Sequence, residues 1–284
     1  MGKPLTGLQD LLARAAVFSV SSKSLLRRAG RRDSGITALA DLRRADLEIP
    51  DRLLSRHTLA YGVTMAAEGA GTALLVTGAV VSSTVSGGTT MAVAAAAVAA
   101  DVSVNLAAAS RVVAKIALTY GYDVSLPDER IYALGVLNYG TTLTAGGKAA
   151  SLAQLSRLTQ TMMRRPTISQ LDQFALVKAT RAFFKLLGFR VTQQKLAQII
   201  PFVGIAYNAG MNAQAITRLS ERAQEAYRLR FLTEKYELDA AAWLGQLNVP
   251  ESDCEDDDSI DLDQVIEDAG RDDVDESGPD SARS

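Results

Sequence analysis

Two carboxylates stand at the ends of the longest uncharged stretch of the chain and are the side chains best placed to do chemistry. Glu68 and Asp101 bound 32 consecutive residues without a formal charge, Gly69–Ala100. A Gly87-Gly88 pair near the middle favours a reversal of the chain, so that the two arms would pair antiparallel. The carboxylates would then lie at comparable depth, where such a pair could transfer protons or bind a cation. The alternative, which we favour, is that each carboxylate marks the boundary of an apolar layer or pairs with a basic residue nearby.

The other reactive side chains exclude several kinds of active site. A single cysteine (Cys254) and a single histidine (His57) exclude a disulfide within the chain and multi-histidine metal sites. His57 lies among ordinary helix residues, which favours an imidazole on a helix surface or partly buried. Residues 141–148 (TTLTAGGK) superficially resemble a phosphate-binding loop, but the leading glycine is absent and Ala149 replaces the Ser or Thr that would bind magnesium. The sequence therefore predicts no catalytic residue, no cofactor and no metal site.

The segment that would position the two carboxylates is a helical hairpin of small residues. Gly69–Ala100 consists mainly of Ala, Gly, Ser, Thr and Val, with Leu74 and Leu75 as its only leucines. Small side chains let helix backbones approach closely. Each arm is about long enough to cross a membrane, but insertion is driven mainly by Leu, Ile, Phe and Val. Three interpretations stay open: a buried hairpin in a soluble protein, shallow or conditional insertion, and a stable double span.

The pattern of apolar residues predicts an all-α fold, because no segment alternates apolar and polar residues as a half-buried strand does. We divide the chain into a basic N-terminal helix (1–33), a multi-helix bundle built around the hairpin (34–250) and a disordered acidic tail (251–284). The expected boundaries in the bundle are a helix over 36–48 punctuated by Pro50, a helix end at Gly121, a start at Pro127 behind a hydroxyl cap, and a long helix to about Tyr236.

The charge of the chain is distributed unevenly. The formal net charge is −2, yet residues 251–284 hold 15 acidic residues against Arg271 and Arg283, a net of −13, which leaves +11 for residues 1–250. Such a tail is typical of disorder, although four apolar residues in it could form one turn on a partner (Ile260, Leu262, Val265 and Ile266). The basic body indicates an anionic partner or self-screening by the tail. Nucleic acid is not expected, because the cations are spread over several helices without interleaved aromatic residues.

Five cations crowd the end of the N-terminal helix: Lys23, Arg27, Arg28, Arg31 and Arg32. Cations at a helix C-terminus are favourable to the helix dipole, which is the interpretation we favour. The alternative is an anchor on a membrane surface or another anionic partner.

Several short motifs together resemble the EcsC family. They are Glu68-Gly69-Ala70-Gly71 with Asp101, Tyr120-Gly121-Tyr122-Asp123 before Pro127–Arg130, Ile200–Gly204 with Asn212 and a basic Arg222–Arg230, and Ala38–Asp46 upstream. The resemblance covers about residues 35–235. Its signature positions are Gly69, Gly71, Tyr120, Gly121, Tyr122, Asp123, Pro201, Gly204 and Asn212. It implies a bacterial helical protein, from a family with one member encoded beside an ABC transporter and with no established activity.

These observations predict a non-enzymatic interaction protein at the cytoplasmic face of a bacterial membrane. Its partner would be the anionic membrane surface or a membrane protein complex such as a transporter. The alternatives are a hydrolase that uses Glu68 and Asp101, and a soluble scaffold that binds another protein. A peripheral location at the inner face is expected, with insertion through residues 69–100 as the alternative.

Overall fold

The computed structural model of the chain describes residues 21–55, 106–164, 179–180, 182–187, 205–238 and 260–275. The helices, numbered in chain order, are α1 Lys23–Gly30, α2 Leu39–Arg44, α3 Glu48–Ser55, α4 (106–119), α5 Pro127–Thr141, α6 Ala145–Arg164, α7 (182–187), α8 Ile205–Tyr236 and α9 Leu262–Asp275. The described residues contain no strand, which confirms the all-α prediction. The hairpin predicted over Gly69–Ala100 lies outside the described residues.

The central helix of the described bundle is α5. Every residue from Glu129 to Tyr139 is buried, as expected of a helix that has neighbours on all sides. Helices α6 and α8 pack against α5 and against each other. Two glycines of α5 permit this close approach: a Cβ on Gly135 would stand 2.8 Å from Cδ2 of Leu155 in α6, and a Cβ on Gly140 would overlap Leu219 in α8.

The N-terminal helices enclose a smaller core of their own. Its buried members are Leu25, Ala29, Ile36, Leu42, Leu53 and Leu118. Leu118 belongs to α4, so this small core connects α1, α2 and α3 to the rest of the bundle.

The helix predicted over 36–48 is divided in the structure. Asp41 starts α2 by accepting hydrogen bonds from the backbone N–H groups of Thr37 and Ala38 at 3.0 and 2.8 Å, and these bonds hold the pKa of its carboxyl below the ordinary value. The helix ends at Arg44, because Ala45 is extended. Pro50 lies in the first turn of α3 and not between helices, a position where its missing N–H group leaves no hydrogen bond unmade.

The connection from α4 to α5 confirms one predicted boundary and corrects another. The N–H of Gly121 donates to the carbonyl of Leu118 at 3.0 Å and that of Tyr122 to Ala117 at 2.9 Å, which is the pairing of a Schellman helix end. The predicted end at Gly121 is therefore confirmed. Helix α5 does begin at Pro127, but the hydroxyl cap was wrong, because the capping residue is Leu126 and it makes no side-chain bond.

The acidic C-terminal segment is the main correction to the sequence prediction. Residues 262–275 form α9, and Ile260, Leu262 and Val265 are buried in the main core. Disorder was therefore wrong for residues 260–275. The reason is that a few well-placed aliphatic side chains suffice for docking, whereas composition averages them with many surrounding acids. The apolar residues assigned to a partner dock on this chain instead.

Candidate functional site

The signature turn Tyr120-Gly121-Tyr122 lies where α2 approaches the end of α4. Gly121 has a φ of +88°, and a Cβ there would stand 2.6 Å from the carbonyl oxygen of Leu39 and 2.9 Å from Cγ of Arg43. Glycine is needed both for the backbone conformation and for the contact. The Nε of Arg43 donates to the carbonyl of Gly121 at 2.9 Å, which fixes α2 to the turn and places Arg43 beside Tyr122.

A buried arginine, Arg230 of α8, forms the centre of the ionisable side chains around this turn. Its Nη1 and Nη2 donate to the two oxygens of Glu129 at 2.7 and 3.0 Å, and its Nε donates to Glu234 at 2.7 Å. The side chain of Arg230 is 2% exposed and that of Glu129 is 6% exposed. Two-point pairing of this kind matches the planar guanidinium to the carboxylate. Arg43 also reaches Glu129, at 3.1 Å.

Two tyrosine rings pack against the guanidinium of Arg230. The Cζ of Arg230 lies 4.0 Å from the ring centre of Tyr122 and 4.3 Å from that of Tyr132, within the range of favourable cation–π contact. The hydroxyl of Tyr122 donates to Glu234 at 3.0 Å. Tyr227 packs against both rings, with centroid distances of 5.7 and 5.3 Å. We call the set Arg43, Tyr122, Glu129, Tyr132, Tyr227, Arg230 and Glu234 the Arg230 cluster.

The pKa values in the cluster follow from burial and pairing. Burial alone would lower the pKa of Arg230, but the carboxylate of Glu129, then Tyr122 and Glu234, raise it above the ordinary value. Burial raises the pKa of Tyr132 to about 12, although Arg230 opposes the shift. Burial likewise raises the pKa of Tyr122 and Tyr227. The arginine is therefore charged and the three phenols are neutral at physiological pH.

This arrangement stabilises the fold and is not built to meet a substrate. The guanidinium donates to protein carboxylates, and two tyrosine rings pack against it. The phenols are held neutral, away from the pH at which they could exchange protons in catalysis. The cluster connects α2, the Gly121 turn, α5 and α8, so its role is to fix four parts of the bundle together.

Other cations of α8 bind the ends of neighbouring helices. The Nη1 of Arg222 donates to the carbonyls of Tyr139, Gly140 and Thr142 at 3.2, 3.2 and 2.7 Å. The Nζ of Lys235 donates to the carbonyl of Ala45 at 2.8 Å. Both interactions satisfy carbonyls that a helix end leaves without partners.

The structure describes the contacts of some signature positions, and others lie outside the described residues. Tyr120 donates to Asp51 at 3.0 Å, and Asp123 accepts from the N–H of Ser125 at 3.0 Å in the turn before α5. Tyr122 enters the Arg230 cluster through the Gly121 turn. The remaining positions that the sequence singled out are the candidate pair Glu68 and Asp101, with Gly69, Gly71, Pro201 and Gly204, all outside the described residues, and Asn212, of which only the place in α8 is described.

The residues that form the centre of the cluster could not be identified from the sequence alone. Glu129, Arg230 and Glu234 were not named as site residues, although Glu129 and Arg230 belong to motifs that carried the family resemblance. The available signal was a charged residue at the start of the apolar run 131–137 (IYALGVL). A charge in a helix that is buried all round requires a partner of opposite charge. Which residue is that partner depends on tertiary structure.

Taken together, the fold and the cluster define an all-α bundle held by a buried arginine–carboxylate–tyrosine network. Among the described residues, no helix combines the length and the hydropathy that crossing a membrane requires. The chain belongs to the EcsC protein family, whose sequence profile matches residues 10–232, and the resemblance noted above is thereby confirmed. It is similar to "Uncharacterized protein YdbA" of Bacillus subtilis (strain 168), with 25% identity over 239 residues that cover 83% of this chain and 78% of that protein. No solved structure matches the chain.

Proposed function

We propose that this protein is a non-enzymatic interaction protein that works, peripherally, at the cytoplasmic face of a bacterial membrane. The observation that carries the proposal is a group of four exposed cations on and just after α1: Lys23, Arg27, Arg31 and Arg32, here called the α1 cations. Within the described part of the chain, none of them pairs with a carboxylate. Free cations clustered on a surface attract anionic lipid headgroups.

The contrast with the other cations supports this interpretation. Arg43, Arg222, Arg230 and Lys235 all bind carboxylates or backbone carbonyls of the protein. Their charge is therefore committed to the fold. The α1 cations contribute to the net +11 of residues 1–250 without such partners in the described residues.

The helix dipole accounts for only part of the cation group. Arg27 lies in the last turn of α1, where a cation contributes about 0.3–1 kcal/mol to the helix. Arg31 and Arg32 lie beyond the end of the helix at Gly30. The dipole effect falls off within the last turn, so it gives little reason for these two residues.

The non-enzymatic part of the proposal is supported by the burial of Arg230 and Glu129 at the centre of the Arg230 cluster. The alternative hydrolase depends on Glu68 and Asp101, which lie outside the described residues. The protein partner at the membrane face would be a membrane protein complex such as a transporter. The soluble scaffold is the outcome left if the membrane experiment fails.

Co-sedimentation with vesicles tests the proposal. Wild-type protein should sediment with anionic vesicles at low salt, be released at high salt, and stay in solution with neutral vesicles, because screening weakens surface electrostatics. Each well-placed cation contributes about 1 kcal/mol. Replacing the four α1 cations by glutamine should therefore weaken binding by up to about a thousandfold.

A second variant controls for net charge. Four exposed cations on other helices can be replaced by glutamine in the same way: Arg157, Arg164, Lys185 and Arg218. This variant loses the same charge and should retain most of the binding. An equal loss in both variants would refute a specific surface at α1. Binding to both kinds of vesicle that survives high salt would indicate insertion, with residues 69–100 as the first candidate, and no binding by a monodisperse preparation would refute the membrane proposal.

A further inference from the structure

A side chain of α5 binds the backbone of the segment 260–275. Asn138, near the C-terminal end of the buried part of α5, donates from Nδ2 to the carbonyl of Ile260 at 2.9 Å and accepts from the N–H of Ile260 at Oδ1, at 3.0 Å. Asn138 and Ile260 are both buried. A side-chain amide that pairs with both backbone groups of one residue recognises a peptide independently of that residue's side chain.

Aliphatic side chains add the sequence-dependent part of this recognition. Ile260, Leu262 and Val265 are buried. Leu262 lies against α5 where Gly135 leaves room for it, because a Cβ on Gly135 would come within 3.2 Å of its Cδ1. The spacing of Leu262 and Val265 is that of one helix face. We call the surface formed by Gly135, Asn138 and Leu155 the Asn138 groove.

Charge is not what holds the described start of α9 in place. Asp261 and Asp263 are exposed, and neither forms an ion pair within the described residues. The Oδ1 of Asp261 instead accepts from the backbone N–H groups of Asp263 and Gln264 at 3.0 and 3.2 Å, which caps α9 from within. The segment thus carries its own helix start and exposes Asp261 and Asp263.

We propose that the Asn138 groove is a docking site for an amphipathic helix with an acidic outer face, and that α9 is its built-in occupant, which a partner helix of the same chemistry displaces. Helices that lay an aliphatic stripe into a groove are a common mode of recognition between proteins. The proposal names a partner class for the interaction function and holds whether or not the α1 cations bind lipid.

The tether explains how the site can be both occupied and available. Residues 239–259 separate α9 from the described end of the α8 segment. A tethered segment competes at an effective concentration of about 1 mM. A partner must therefore bind the open groove tightly or be present at high local concentration. Competition from α9 thus sets the minimum affinity or concentration at which a partner docks.

Peptide binding to the full-length chain tests the proposal. The probe is a fluorescently labelled synthetic peptide of residues 258–275. The receptor is the full chain carrying Leu262→Asp and Val265→Asp, whose own α9 can no longer fill the groove. The peptide should bind this variant at least tenfold more tightly than it binds the wild-type chain, because tethered α9 competes in the wild type.

Two controls make the result specific. A peptide with the same two aspartates should not bind either chain. A chain with Gln264→Asp, an acid introduced at an exposed position of α9, should behave as wild type. The proposal is overturned if the probe binds neither the double variant nor the wild type, or if it binds both equally.

Hydrogen exchange on the wild-type chain needs no variant and decides the matter if the double variant fails to fold. Amides of α9 should exchange faster than those of α5, and excess unlabelled peptide 258–275 should accelerate exchange in α9 only. Exchange in α9 as slow as in α5, and unchanged by peptide, would show that α9 is a permanent part of the core and would refute the proposal.

Discussion

Replacing Arg230 by methionine should destabilise the protein far more than the same replacement two residues earlier, at Arg228. Both residues lie on α8 and both bind a carboxylate, but Arg230 is 2% exposed and its partner Glu129 6%, whereas Arg228 is 48% exposed and its partner Asp51 32%. Methionine keeps much of the aliphatic volume of arginine and removes the charge. The comparison therefore sets a buried, multiply bonded arginine against an exposed one on the same helix.

The expected magnitudes follow from what each replacement leaves behind. Without Arg230, the one bond that the buried carboxylate of Glu129 keeps from the described residues is that from Arg43, which is 37% exposed at its side chain. Breaking a buried pair on one side costs about 3–5 kcal/mol. An exposed pair such as Arg228–Asp51 contributes about 0–1 kcal/mol. Against a typical total stability of about 5–15 kcal/mol, the first change removes a large share and the second a small one.

A double replacement separates the cost of the unpaired charge from the value of the pair. Glu129→Met together with Arg230→Met removes both buried charges, and apolar side chains of similar volume are often tolerated in place of a buried pair. The double variant should therefore be more stable than Arg230→Met alone by about 2 kcal/mol or more. Urea unfolding followed by circular dichroism at 222 nm measures the wild type, Arg228→Met, Arg230→Met, Glu129→Met and the double variant. Additive losses, or a loss below about 1 kcal/mol for Arg230→Met, would refute the structural role assigned to the cluster.

Two further predictions concern the tyrosines and the Gly121 turn. The buried phenols of Tyr122, Tyr132 and Tyr227 have folded pKa values above their ordinary value of about 10, with Tyr132 at about 12. Above pH 10 the folded chain therefore binds more protons than the unfolded chain, so the stability that these groups contribute is fully present below about pH 10. It falls by about 1.4 kcal/mol per pH unit per tyrosine as the pH rises towards the folded pKa values. Phenolate absorbance of these side chains should appear together with the loss of helicity in an alkaline titration, and phenolate formation in a fully helical protein would contradict the burial. Gly121→Ala should cost more than about 2 kcal/mol, because φ +88° is unfavourable for alanine and its Cβ would collide with the carbonyl of Leu39. Gly35→Ala, where the nearest atom is a side-chain oxygen of exposed Asp33 at 3.1 Å, is the control, and equal urea midpoints for the two variants would be inconsistent with the strain assigned to the turn.

Local signals in the sequence were sufficient where a boundary depends on neighbouring residues. Gly121 ends α4 because a glycine after an apolar helix can take the left-handed conformation, and Pro127 opens α5 because proline fits the first turn. The same local reasoning extended one helix over 36–48. It could not anticipate the break at Ala45, whose carbonyl binds Lys235 from the far end of α8.

Interactions between distant residues account for the rest of the difference between prediction and structure. Glu129 and Arg230 are 101 residues apart and Asn138 and Ile260 are 122 apart, so no local spacing connects them. The composition of the acidic tail predicted disorder. The docking of α9 could not be read from that composition, because the amide of Asn138 that binds it belongs to another part of the chain. The Arg230 cluster and the docking of α9 thus become visible only when the helices are packed.

The same long separation has a consequence for how the chain is made. A ribosome adds about 5–20 residues per second, so Glu129 emerges roughly 5–20 s before Arg230, which follows it by 101 residues. During that interval α5, the most buried helix of the described bundle, lacks both α8 and α9. Its carboxylate and its amide are synthesised long before the groups that satisfy them. A nascent chain that stalls before residue 230 would therefore present the central helix of the folded protein to the cytosol, and we expect such fragments to be bound by chaperones or degraded.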